Sequence, residues 1–507
     1  MYDIIHLIHR KGEIMRYIEG IDRKRKISFP ECIDDYITED NSVRVIEAFV
    51  DSLNIVELGF ENSCPPNLGR PGFDPRVILK LYLYGYMNKI NSSRKLEIET
   101  TRNIELMWLL RKLKPDHKVI SDFRKNNKEA IKRVFKEFVA LCKQWDLFGM
   151  EVIAVDGSKF RASNSKKNNF NDKNLNRRIK YLDEKIQKYM SEIDENDDTE
   201  RSIRKVSKEE LKEKLWELKE RKKKYENYQQ EMKEKNIGEI STTDPDARLM
   251  SVNNNGVDVC YNIQTVVDSK HKLIVDCDVI NNPTDHGQLS KMSVRAKNTF
   301  GTDSLESLAD KGYYNVDDLM ACEKEGIITY VSKQLYSNST GEADFYSDKF
   351  KYDKERNIYI CPAGQELYCI RKKPIDENTK ALKYKNFKAC SKCELKDKCT
   401  KDKNGRIVSR PIGQDFLDTV DKRTNENKEL YKMRQMIVEH PFGTVKRAWG
   451  LSYFLTRGIE SVKTEVSLAF LAYNIKRAIN IIGINKIMER LKAKNSLNNL
   501  SLHKLVY

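Results

Sequence analysis

No apolar run in this chain approaches the roughly 18 residues that span a bilayer, which excludes a membrane-spanning helix. The opening MYDIIHLIHRKGEIMR breaks its short apolar stretch with histidine and charge, unlike a secretory leader. Histidine is scarce, at seven residues, and none stands in a pattern that pairs it with a nucleophile. Between residues 173 and 236 there is neither glycine nor proline, so nothing there interrupts a long helix. The eleven cysteines are an odd number without a secretion signal. They read as reduced thiols of a cytosolic protein, clustered ones being candidate metal ligands rather than disulfides.

What is present is size and positive charge. A length of 507 residues corresponds to about three domains. With 39% hydrophobic and 33% charged residues, there is apolar material for real cores under a large solvated surface. The net charge of +16 favours a polyanionic partner, and its distribution says more than its total. Residues 1–70 carry −4, residues 71–150 carry +8, the lysine-rich 173–236 only +3, and 421–507 carry +9. Two segments hold the excess.

The first, 71–150, reads as helical. After Pro71-Gly72-Phe73-Asp74-Pro75 comes VILKLYLYGYMNKI, compatible with a buried helix. Ser121 with Asp122 is placed to cap another, with Phe123, Ile131, Val134, Phe135, Phe138 and Leu141 at helical steps. Its basic polar face is either a solvated surface or a contact for backbone phosphates. Ile179, Leu182, Ile186, Tyr189 and Ile193, then Leu211, Leu215 and Leu218, predict two antiparallel helices joined near Glu195–Thr199. EVIAVD (151–156), VDVCYNIQTVVD, KLIVDCDVI, SLESLAD and IITYVS predict strands, with a helix over GQLSKMSVRAKNTF. That order is one of a mixed α/β sheet. Helical periodicity returns from about 426 to 483.

Asp156 and Asp310 each end a predicted strand, at the rim of a sheet where ligands bind. Two such carboxylates on adjacent strands can share a hard cation such as Mg²⁺, and a third acid allows two ions about 4 Å apart for in-line displacement at phosphorus. An Asp-Gly after a strand is also an ordinary turn.

The residues around these acids resemble the DDE transposases of bacterial insertion sequences. Asp156 lies in DGSKFRASNS, and Asp310 begins Asp-Lys-Gly-Tyr. YKMRQMIVEHPFGTVKR resembles the family's ordered Tyr, Arg, Glu and Lys. GRPGFDP with KPDHKVISDFRK resembles the family's helical N-terminal domain. SVNNNGVDVCYNIQTVVD with NNPTDHGQ resembles the sheet between the two aspartates. The resemblance implies a ribonuclease-H-like mixed-sheet catalytic core, 151–334 with 426–483, behind an all-α DNA-binding domain over 1–150. It further implies a helical-hairpin insertion at 173–236, a small Cys-rich insertion at 335–425 and a C-terminal tail at 484–507. By it, Asp156, Asp310 and Glu439 hold two Mg²⁺ (or Mn²⁺) ions, while Tyr431, Arg434, Lys446 and Arg447 contact DNA.

One spacing departs from the pattern. Four residues, not three, separate Arg434 from Glu439, which turns Arg434 by about 100° around a helix. Pro441 predicts a kink or helix boundary. Glu460 and Glu465 are the alternative third acids. Trp449, Tyr453 and Phe454 are core packing or a base-stacking platform.

Cys361, Cys390, Cys393 and Cys399 are a candidate structural Zn²⁺ site, with Cys369 the alternative ligand and buried thiols the other reading. Cys32, Cys64, Cys142, Cys260, Cys277 and Cys322 read as small core residues. The implied activity is metal-dependent cleavage at transposon ends and strand transfer into target DNA. The partners are double-stranded terminal inverted repeats and target DNA, with a homodimer or higher oligomer in the synaptic complex. A cytoplasmic, nucleoid-associated bacterial protein fits. The alternatives are a nuclease of the same fold without strand transfer, and an inactive DNA-binding relative.

Overall fold

The computed structural model describes residues 5–10, 13–18, 32–63, 72–198, 208–252, 256–333, 340–370 and 381–504. Cys64 lies outside them. Two antiparallel strands, β1 (Ile5–Arg10) and β2 (Glu13–Ile18), precede the helices. Six helices follow: α1 (Ser42–Asp51), α2 (Pro75–Met87), α3 (Ser93–Arg102), α4 (Ile104–Leu109), α5 (His117–Asn126) and α6 (Lys128–Gln144). Asp74 starts α2 by accepting from the Arg76 N–H at 2.8 Å, with Pro75 at the first helical position where its missing N–H costs nothing. Ser121 and Asp122 do not cap a helix. They lie inside α5, whose cap is Asp116, accepting from the Val119 N–H at 2.8 Å, and Asn127 separates α5 from α6.

Strand β3 (Val152–Arg161) leads through β4 (Asn169–Asn171) into α7 (Asp172–Asp198) and α8 (Lys208–Glu234), which pack on each other and return through β5 (Glu239–Ser241). The acidic stretch expected to turn near Glu195–Thr199 is helical as far as Asp198. Phe170, Leu175, Leu182, Tyr225, Met232 and Ile240 give this hairpin a hydrophobic cluster of its own.

The central sheet adds β6 (Arg248–Val252), β7 (Gly256–Asp268), β8 (Ile274–Ile280), β9 (Leu305–Ala309) and β10 (Ile327–Val331) to β3. Its order is β10-β9-β3-β7, and β7 also pairs with β6 and β8. Pairings of β7 with β3, β6 and β8 are antiparallel, and those of β9 with β3 and β10 parallel. Helices α9 (Leu289–Phe300) and α10 (Val316–Lys324) make the crossovers between parallel strands. The architecture is a mixed α/β sheet behind a helical N-terminal region.

A second, five-stranded antiparallel sheet follows: β11 (Lys351–Asp353), β12 (Ile358–Ile360), β13 (Glu366–Cys369), β14 (Ala381–Lys385) and β15 (Val408–Pro411). The short helices α11 (Phe387–Ser391) and α12 (Lys396–Cys399) lie between its last two strands. It closes on its own small core of Phe350, Tyr359, Leu367, Tyr384 and Val408. Helix α13 (Gln414–Glu426), inside the segment read as the Cys-rich insertion, instead packs against β10 and α10.

Three helices complete the chain: α14 (Lys428–Phe442), α15 (Ile459–Ile482) and α16 (Ile484–Lys504). Pro441 does not end α14. The helix runs through it, and Gly443–Ala448 then form a wider π-turn in which the Trp449 N–H reaches Thr444 O at 2.8 Å. Helix α15 is buried along most of its length and packs against α2, α6 and β8. One hydrophobic cluster therefore runs from the N-terminal helices into the sheet, and residue 150 marks no break between cores. Where a tail was expected, α16 seats Ile487 and Leu491 in that cluster, against α1.

Candidate active site

Asp156 is not at a strand end. Strand β3 continues to Arg161, because Phe160 is fully buried against Phe442 and Phe454, and residues 452–454 bond along the end of the strand. The neighbouring strand β9 stops at Ala309, opposite Val155. Asp156, within β3, and Asp310, just past the end of β9, therefore stand at the same level of adjacent parallel strands, whose axes are about 4.8 Å apart. Asp310 Oδ1 accepts from the Gly312 N–H at 2.7 Å, which turns the chain out of the sheet.

Burial first, then the charge of Asp310, with Asp285 adding less, push the Asp156 carboxyl up to about 7. Arg434 and the Gly157 N–H pull the other way. Like charge held together out of water is what a bound cation relieves, and the oxygen donors suit a hard ion such as Mg²⁺. Arg434, whose facing the departure in spacing put in question, thus acts on the Asp156 carboxylate.

Glu439 is exposed on α14, the helix that packs across β3, β7 and β9. Its carboxylate accepts from Gln435 Nε2 at 2.7 Å, and it is not among the charges that bear most on Asp156. Among the described residues, no three His, Cys, Asp or Glu side chains stand arranged to hold a metal ion. The structure thus sets Asp156 and Asp310 on adjacent strands and Glu439 on the helix that packs across those strands. The alternative acids are engaged elsewhere. Glu465 is fully buried and accepts from Leu455, Thr456 and the Thr456 hydroxyl, while Glu460 pairs with Lys132 and Lys463.

Lys446 is pinned to β3. Its ammonium donates to Lys159 O at 2.6 Å and Ser158 Oγ at 3.1 Å and lies 4.8 Å from the Phe160 ring centroid, and burial holds its pKa below the usual lysine range. Arg447 is exposed. Tyr431 is half-buried against the main core. Trp449 is half-buried with Lys476 over its ring, Phe454 is core, and Tyr453 is 47% exposed.

A polar group that the sequence did not single out lies beside the aspartates. Asp285 Oδ1 accepts from Asn262 Nδ2 at 2.6 Å and Gln264 Nε2 at 2.8 Å, and Lys159 Nζ lies 3.4 Å away. Gln264 Oε1 accepts from the Tyr313 hydroxyl at 2.6 Å, tying the group to the Asp310 turn. The signal was present in the sequence: Asn262 and Gln264 place two amides at alternate positions, on one face of a strand rich in apolar residues.

In the second sheet, Cys361, Cys390, Cys393 and Cys399 line one cavity of about 30 Å³, none of them in a disulfide. Burial pushes the Cys399 thiol up, and Cys390, Cys361 and Cys393 add to that against Arg406. The Gln365 N–H donates to Cys361 Sγ at 3.3 Å. Cys369, at the end of β13, is packed against the small core instead.

Two family models match the chain. One is described as a transposase DDE domain and spans residues 360–479, taking in Tyr431, Arg434, Glu439 and Lys446 but neither Asp156 nor Asp310. The other, a transposase domain (DUF772), spans 31–126 across α1 to α5. Together they support an insertion-sequence DDE transposase, a nucleic-acid-processing enzyme of DNA transposition and recombination. No curated protein matches. Among solved structures, a piggyBac transposase synaptic complex with hairpin DNA is similar at 8% identity and a TM-score of 0.26, over 90% of this chain and 86% of that one. Among the described residues, no helix is long and apolar enough to cross a membrane.

Proposed function

We propose that this chain is a metal-dependent DNA transposase with a ribonuclease-H-like core, cutting at transposon ends and joining the freed 3′-hydroxyl to target DNA. The observation that carries the reading is the pair of carboxylates at one level of two parallel strands, where burial and then the Asp310 charge push Asp156 up to about 7. Asp156, Asp310 and, from α14, Glu439 are the residues that would hold two Mg²⁺ or Mn²⁺ ions. Bound there, such ions neutralise charge on the phosphoryl oxygens and activate the attacking water or hydroxyl. The carboxylates serve as acceptor-only ligands, and Arg434 offsets their repulsion before substrate arrives. Lys446 fixes α14 and its π-turn on β3. Arg447 and Tyr431 contact the DNA strand, and exposed Lys and Arg of α3, α5 and α6 contact phosphates of the inverted repeats. Synapsis of two ends requires at least a dimer.

The four thiols that line one cavity beside the second sheet would hold a structural Zn²⁺ by closing onto it, since without the ion they do not stand arranged around one. The test is cleavage of end-sequence DNA in Mg²⁺. Asp156→Asn, Asp310→Asn and Glu439→Gln should each lower the rate by at least about 100-fold, the scale of losing groups that hold a catalytic metal. Retained cleavage in all three sinks the reading. Pre-cleaved ends that are never joined to target DNA would leave a nuclease.

A further inference from the structure

Asp285 lies in the loop between β8 and α9, partly open to solvent at 19% side-chain exposure. Its two oxygens have different surroundings. Oδ1 is clamped by Asn262 and Gln264, both fully buried on β7, whereas Oδ2 takes no hydrogen bond among the described residues. That free oxygen is turned toward the Asp310 turn: a Cβ added to Gly312 would stand 3.5 Å from Asp285 Oδ2 and 2.9 Å from Asp310 Oδ1.

A second observation points to a ligand at the same place. Asn262, 0% exposed, leaves its Oδ1 without a hydrogen-bond partner. A Cβ on Gly157, the residue after Asp156, would stand 2.9 Å from that oxygen and 2.5 Å from Asp285 Oδ1. An orphaned buried carbonyl oxygen keeps an uncompensated desolvation cost unless something satisfies it. The carboxylates around it are acceptors and cannot. Hard divalent cations take carboxylate and amide oxygens together.

We infer that Asp285 is a further ligand of the divalent-cation site of Asp156 and Asp310, with Oδ1 fixed by Asn262 and Gln264 and Oδ2 offered to the ion, the three carboxylates drawing in as it binds, since without it no three such side chains among the described residues stand arranged to hold one. The inference rests on the metal-dependent reading above. Asp285→Asn isolates it, because an asparagine keeps an acceptor for Asn262 and Gln264 and replaces only the free oxygen by an NH₂.

The experiment is a Mn²⁺ titration of the full chain without DNA, with free Mn²⁺ followed by electron paramagnetic resonance. Melting in EDTA is measured alongside, and the proteins are wild type, Asp285→Asn and Asp310→Asn. Expected is Mn²⁺ affinity in Asp285→Asn weakened by about tenfold or more, with melting in EDTA no lower than wild type. Unchanged affinity in Asp285→Asn, with affinity lost in Asp310→Asn, overturns the inference and leaves the proposed function standing. Weaker affinity together with a lower melting temperature in EDTA marks a structural role and also overturns it. A wild type that binds no Mn²⁺ overturns both.

Discussion

At the scale of single residues, the site is made by where small residues stop and polar ones begin. Gly157 has no side chain because there is no room for one. A Cβ would meet Gln264 Nε2 at 2.4 Å and Asp285 Oδ1 at 2.5 Å, and the buried Asn262 and Gln264 have nowhere to go. Gly157→Ala should therefore destabilise the chain by about 1–3 kcal/mol in urea unfolding, the usual cost of overpacking. An ordinary turn glycine, as the Asp-Gly pair first suggests, would tolerate the change within about 0.5 kcal/mol. The two aspartates were legible because each ends a predicted strand and stands in a motif of the resembled family, DGSKFRASNS and Asp-Lys-Gly-Tyr. Asp285 was not, since nothing in a loop acid's neighbours in sequence says which strand it will face.

At the scale of elements, the spacing of the C-terminal motif is decided by how α14 meets β3. Lys446 and Arg447 are adjacent in sequence but part company in the π-turn, one donating to Ser158 and Lys159 O, the other exposed. Lys446→Met should lower stability by about 1–3 kcal/mol, the loss of buried bonds from a charged donor, seen as a lower urea midpoint. Arg447→Ala should leave stability within about 0.5 kcal/mol, while the salt dependence of DNA binding falls by about one unit of slope. Equal effects of the two changes on DNA binding would contradict the pinned role of Lys446. Periodicity showed that α14 is a helix and that Pro441 disturbs it. It could not show that the disturbance is absorbed from Gly443, two residues later, because that depends on Phe160, Phe442 and Phe454 meeting at the end of β3.

At the scale of the whole molecule, three hydrophobic clusters divide the work among the described residues, and the largest of these contains the candidate site. Helix α16 closes it. Leu491 is 1% exposed in that cluster, so Leu491→Ala should cost about 2–5 kcal/mol in chemical unfolding, a value no free tail would give. The small five-stranded sheet has few apolar residues of its own, so zinc removal should act there first. After chelation, limited proteolysis should cut between residues 340 and 411 while the main core persists. Equal resistance with and without chelator would remove zinc from that cluster.

The mixed order of strands and helices, the long hairpin without glycine or proline, the two aspartates and the four-cysteine spacing could all be read along the chain. These are set by local periodicity and by residue chemistry, which act over a few neighbours. Only the tertiary structure decided that the N-terminal helices and the sheet share one core, through α15 running between them. It alone brought Asp285 and Asn262 beside Asp156, Arg434 into the field of that carboxylate, and Lys446 onto β3. Contacts of this kind join residues far apart in the chain. Their identity is fixed by how buried faces fit together, not by any pattern within one segment.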